Sequence, residues 1–157
     1  MHGPLAYLHV AAALIALLSG LFVVFWRKGK ALHRLLGIVY VFAMLQTNVS
    51  ALMIYHLTGR FGLFHVFALL SMAYTLAGLA MPILRRQGWL NAHVQWMSWS
   101  YLSLLAASLN ELLIRLPLHV NTPPCIFAVG AILGLSVLAA GLALRPRLRR
   151  AALRHAP

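Results

Sequence analysis

The residue pattern predicts an all-α fold set in a membrane: an up-and-down four-helix bundle followed by a fifth transmembrane helix. Three observations carry that prediction. Of 157 residues, 62% are hydrophobic and only 9% charged, where soluble domains carry roughly 25% charged residues, so there is too little polar surface to cover a water-soluble globule. The apolar residues gather in runs of about twenty, the length that crosses about 30 Å of hydrocarbon at 1.5 Å of rise per residue. The Lys and Arg residues lie in short clusters between those runs, dense in every second gap and sparse in the others.

The chain is read as one transmembrane domain over residues 1–157, with helices at about 5–26, 31–56, 63–84, 91–116 and 125–144 and a basic tail at 145–157. The first run ends at Arg27, Lys28, Gly29 and Lys30. It has no Lys or Arg before it and is longer than the 7 to 15 residues of a signal core, so it is expected to be a retained helix. The second run carries His33 and Arg34 in its first turn, and the turn 57–62 leads to the third, which has Pro82 near its end. Arg85, Arg86, Gln87 and Gly88 form the next loop; Asn91 is placed as the N-cap of the fourth helix and Pro117 stops it. Only helices satisfy all their own backbone groups in hydrocarbon, which is why each run is taken as one. Short loops make consecutive helices antiparallel neighbours.

Charge gives the orientation. Arg27, Lys28, Lys30, Arg34, Arg85, Arg86 and the arginines at 145, 147, 149, 150 and 154 fall on one side, and only Arg60 and Arg115 on the other. The positive-inside rule then places the first side in the cytoplasm, with the N-terminus outside the inner membrane and the C-terminus inside. The net charge of +12 is accounted for by this topology, so no nucleic acid partner is expected, and membrane lipid is. With Cys125 the sole cysteine, neither an intrachain disulfide nor a cysteine-rich metal site can form. Gly130 and Gly134 make a small-xxx-small pair in the fifth helix, a close-packing contact within the chain or across a homodimer.

The topology gives each in-helix histidine a depth. His9 and His65 lie about one turn inside the outer ends of the first and third helices; His33 and His93 lie in the first turns of the second and fourth, on the cytoplasmic side. In an up-and-down bundle the first and third helices are diagonal, as are the second and fourth. Two imidazoles facing across a diagonal suit the axial positions of a b-type haem, so the plan suggests His9 with His65, His33 with His93, and two haems. Ala12, Ala13, Ala16 and Gly20 share the face of His9 and leave room for a flat ligand; Gly37 lies one turn from His33, with Tyr40, Met44 and Thr47 beyond. On the fourth helix Trp96, Met97, Ser100, Leu104 and Ala107 share the His93 face. Arg34 is placed to pair with a haem propionate. Gln46, Thr47, Asn48 and Ser50 suggest hydrogen bonding between helices. The histidines at 2, 56, 119 and 155 fall at interfaces, termini or loops and carry little signal.

Glu111 is the single acidic residue. An ionisable group within a membrane helix reads first as functional. It has three readings: a structural pair with Arg115 at i+4, a proton-transfer group at an outer quinol site, or a ligand to zinc, copper or iron beside His9 and His65.

The run His33-Arg34-Leu35-Leu36-Gly37-Ile38-Val39-Tyr40-Val41, with His65 opening the third helix and His93 in the fourth, resembles a family of small bacterial membrane proteins of unknown function over about residues 5 to 116. The two-layer histidine layout is similar to that of cytochrome b561 and related di-haem b cytochromes. That likeness implies transmembrane electron transfer with His9, His65, His33 and His93 as axial ligands. Three functions follow as expectations: a b-type cytochrome and membrane oxidoreductase passing electrons to a quinol-type or other redox partner, a His/Glu metal-binding or metal-moving protein, and a non-catalytic accessory subunit in which His9, His65, His33 and His93 are hydrogen-bonded polar groups that bridge helices. No nucleotide loop, nucleophile elbow or zinc-protease helix occurs, which argues against hydrolytic and nucleotide-driven chemistry.

Overall fold

The computed structural model describes residues 3–25, 31–54 and 63–115. They form helices α1 (Pro4–Phe25), α2 (Ala31–Met53), α3 (Leu63–Leu84) and α4 (Trp89–Arg115), with no strand among the described residues. The all-α class and the first four helices agree with the sequence reading, mostly to within one or two residues. The expected fifth helix, the 145–157 tail, the Gly130–Gly134 pair, Cys125, His56 and Arg60 lie outside the described residues.

Among the described residues, three helices are long and apolar enough to cross a membrane: Pro4–Val24, Ala31–Met53 and Phe64–Leu84. The fourth, expected as a span, does not reach that apolarity although its 27 residues are ample in length. The cause is its polar content, from Asn91, His93 and Gln95 through four serines to Asn110, Glu111 and Arg115.

Burial is inverted relative to a soluble protein. Leu14, Leu18, Phe42, Leu35 and Ile83 are exposed, the last at 71%, while Ser19, Thr47, Asn48, Ser50, Ser71, Thr75, Ser100 and Asn110 are buried. A soluble monomer rarely exposes so many large apolar side chains. Lipid tails cover it at no hydrophobic cost, and small and polar residues then serve the helix contacts.

The chain divides into two compact units, Met1–Thr75 and Leu76–Pro157, with the boundary inside α3. In the first unit α1 packs along α2. His9, in the second turn of α1, bonds to Ser50, near the end of α2, so the two helices run antiparallel. Ala12 and Ala16, at 5% and 0% exposure, are closed over by packed neighbours. The room that the small-residue face was expected to leave for a flat ligand is therefore filled: alanines there permit close helix approach. Tyr40 and Met44 are likewise packed, at 2% and 1%.

In the second unit the end of α3 turns into α4. Arg85 adopts a left-handed backbone (φ 45°), and its N–H donates to the Met81 carbonyl at 3.0 Å. This is the αL helix stop, here built on a side chain that the conformation disfavours. Gly88, at φ 75°, takes the second left-handed position, and its carbonyl accepts from the N–H of Ala92 at 3.2 Å. Helix α4 thus begins at Trp89. Asn91, expected as its N-cap, instead lies within the first turn, because the glycine opens the helix three residues earlier.

Candidate functional site

The histidine of α1 is held by a serine of α2. Ser50 is fully buried, and its hydroxyl donates to the carbonyl of Gln46, its own i−4 residue, at 2.7 Å. Its single proton being committed to its own helix, Oγ meets His9 Nδ1 at 2.9 Å as the acceptor. Nδ1 therefore carries the hydrogen, and in the neutral ring the lone pair lies on Nε2.

The histidine of α4 reaches the same state by another route. His93 Nδ1 lies 2.7 Å from the backbone carbonyl of Gly78 in α3. A carbonyl only accepts, so Nδ1 again donates and the lone pair again falls on Nε2. Close approach of the helices makes this contact possible. A Cβ built on Gly78 would stand 2.5 Å from Met97 Sδ, 2.9 Å from its Cγ and 3.2 Å from its backbone nitrogen. Only glycine lets Met97, one turn beyond His93, sit that near.

The other predicted site residues are placed as follows. His65 is buried, at 4% exposure, in the first unit with His9. His33 is half-buried and Arg34 exposed at the start of α2. A Cβ added to Gly37, one turn on from His33, would meet open space. His33 belongs to the first unit and His93 to the second. Glu111 is exposed near the end of α4, and the side chain of Arg115 lies outside the described residues. Among the described residues, no three His, Cys, Asp or Glu side chains come together to hold a metal ion. A bare zinc, copper or iron centre built from His9, His65 and Glu111 therefore draws no support from them.

The polar stretch of α2 divides in its behaviour. Thr47 Oγ1 donates to the Ala43 carbonyl at 2.8 Å, so it bonds within its own helix. Ser50 does the same and also serves α1. Asn48 is buried at 4% exposure, and its Nδ2 has no hydrogen-bond partner among the described residues. On α4, Ser98 and Ser103 bond to the carbonyls of Val94 and Ser100 in the same helix. These hydroxyls thus bond within their own helices, and His9 and His93 each add a link to a neighbouring helix. Ser50 was legible as part of a polar run. Gly78 carries only the signal of a lone glycine inside an apolar helix, and such glycines commonly have a packing reason.

The arrangement has a definite chemical character. A ligating histidine donates its second ring N–H to a carbonyl, carboxylate or water, which orients the ring and raises the basicity of the ligating nitrogen. Both His9 and His93 have an Nδ1 donor bond of this kind. The same bonds also tie two helices together, in the manner of any polar group inside a membrane bundle.

No curated protein and no solved structure is significantly similar to this sequence. A family described as a predicted membrane protein, DUF2306, matches residues 6–144, nearly the whole chain and all four helices apart from the first two residues of α1. Its description agrees with the lipid-facing apolar surface and the buried polar interior, and the chain belongs to this family of membrane proteins.

Proposed function

We propose that this membrane protein is a b-type cytochrome whose imidazole side chains supply axial ligands to haem. One observation carries the reading: His9 and His93, in different helices and with different acceptors, both commit Nδ1 as a hydrogen-bond donor and so keep the lone pair on Nε2. An Nε2 lone pair on an oriented ring is what a haem iron takes from a histidine. The donor chemistry fits the group. The face of α1 around Ala16 does not offer it space, whereas a Cβ added at Gly37, one turn from His33, would meet nothing within 4 Å.

Bound haem would supply one-electron chemistry, with its potential set by ligation, burial and hydrogen bonds to the ligands. The residues of the chain have narrower tasks in this reading. Ser50 and the Gly78 carbonyl orient two rings. In the first unit His65 is the candidate ligand opposite His9, His33 is a further candidate ligand, and exposed Arg34, at the start of α2, is the candidate propionate partner. Transfer across the bacterial inner membrane, with the N-terminus outside, belongs to the same proposal and rests on the eleven-to-two division of Lys and Arg.

A second reading is favoured by a specific observation. The packed faces at Ala12, Ala16, Tyr40 and Met44 suit a non-catalytic accessory subunit in which His9 and His93 only join helices. The two readings differ in colour. Full-length protein purified from haem-replete cells should carry haem and show a reduced-minus-oxidised difference spectrum. A colourless preparation from such cells would remove the cytochrome reading and leave the accessory one.

A further inference from the structure

Pro82 lies inside α3, two residues before its end. An α-helix bonds the N–H of residue i to the carbonyl of residue i−4, and proline has no N–H to give. The carbonyl deprived of its helical donor is that of residue 78, four positions back. That carbonyl is the one His93 Nδ1 reaches at 2.7 Å.

We infer that Pro82 is a positioning residue for His93: by withholding the helical bond to the Gly78 carbonyl, it creates the acceptor that orients the ring and holds the proton on Nδ1. Three residues divide the work. Pro82 frees the acceptor, and its ring crowds the i−4 carbonyl, as proline does inside any helix. Gly78 has no side chain, so α4 comes close enough for the ring to reach; a Cβ there would meet Met97 at 2.5 Å. His93 donates its Nδ1–H in place of the missing backbone N–H, which leaves the lone pair of the neutral ring on Nε2. The sequence signature is Gly-x-x-x-Pro at the end of one helix with a histidine in the first turns of the next.

The purpose of that Nε2 lone pair rests on the ligand reading above, but the geometry does not, and the two can fail separately. The test uses full-length protein without haem in detergent micelles, with 15N-labelled histidine rings at a pH where the ring is neutral. Protonated and unprotonated ring nitrogens differ widely in chemical shift, and the His93 signals are identified by their loss in His93→Gln. A hydrogen bond of this type favours one ring form by about a factor of ten. Wild-type His93 is therefore expected mainly as the Nδ1–H form, and Pro82→Ala, which restores the competing backbone N–H, should lower the ratio of Nδ1–H to Nε2–H several-fold. Gly78→Ala should do the same by pushing α4 away, which keeps the test open if Pro82→Ala does not fold. A role for Pro82 in helix shape alone would alter stability and leave the ring form unchanged. The inference is overturned if wild-type His93 carries its proton on Nε2, or if the form is the same in wild type and in whichever variants fold.

Discussion

Replacing Gly78 by alanine sets two effects of opposite sign against each other. Alanine is favoured over glycine in a helix interior by about 0.8–1.0 kcal/mol, so propensity alone predicts a more stable protein. The structure predicts the reverse. The new Cβ would lie 2.5 Å from Met97 Sδ and 2.9 Å from Cγ, about 1 Å inside ordinary carbon contact distance. The thioether can swing aside, but the Met97 backbone nitrogen at 3.2 Å cannot move without α4. Overpacking of this kind costs typically 1–3 kcal/mol, and the shift also strains the His93 bond, worth about 1 kcal/mol. After the propensity gain is subtracted, the net is a loss of about 2 kcal/mol. Reversible unfolding in mixed detergent micelles measures it. The same substitution made in a Met97→Ala background removes most of the clash, so there it should be neutral or stabilising by up to about 1 kcal/mol. A Gly78→Ala protein more stable than wild type, with Met97 intact, would refute the close approach of α3 and α4.

The same unfolding assay checks two further variants. Ser50→Ala removes the acceptor of His9, and a double-mutant cycle with His9→Ala should give a coupling of about 0.6 kcal/mol, at most about 1.7, as for other hydrogen bonds between membrane helices; zero coupling would mean that the pair does not bond in the folded protein. Arg85→Gly relieves a left-handed residue and should stabilise by a few tenths to about 1 kcal/mol, the αL cost less the extra freedom of glycine in the unfolded chain. A loss of stability there would show that the arginine side chain contributes more than its backbone strain costs. Exchanging the basic cluster Arg85–Arg86 for glutamines should leave the fold intact and weaken the topological bias, read as altered accessibility of single-cysteine tags placed in that loop; unchanged accessibility would assign orientation to the remaining clusters.

The helices were legible because the hydrocarbon core sets their length: runs of about twenty apolar residues between charged clusters have little choice of structure. Boundaries slipped where backbone conformation overrode side-chain preference. Asn91 is a good capping residue, yet Gly88 opens α4 earlier because it alone takes φ 75° without strain. The depth of the histidines could be read from position along each span. Their partners could not, since a hydrogen bond to a serine or a carbonyl on the neighbouring helix depends on rotation and close approach that hydropathy does not encode. His9 illustrates this: its small-residue face suggested room for a ligand, while in the fold those alanines bring α1 against α2. Glu111 drew interest as the single acid in the chain and proves to be exposed near the end of α4.

The central claim is that imidazole nitrogens of this protein bind haem iron. The measurement that tests it most directly is the absorption spectrum of full-length protein from haem-replete cells, oxidised and reduced, for wild type and for His9→Ala combined with His93→Ala. The account predicts low-spin, six-coordinate b-type haem in the wild type and its loss or conversion to a high-spin form in the double variant. Colourless wild-type protein, or a haem spectrum indifferent to both substitutions, would contradict it.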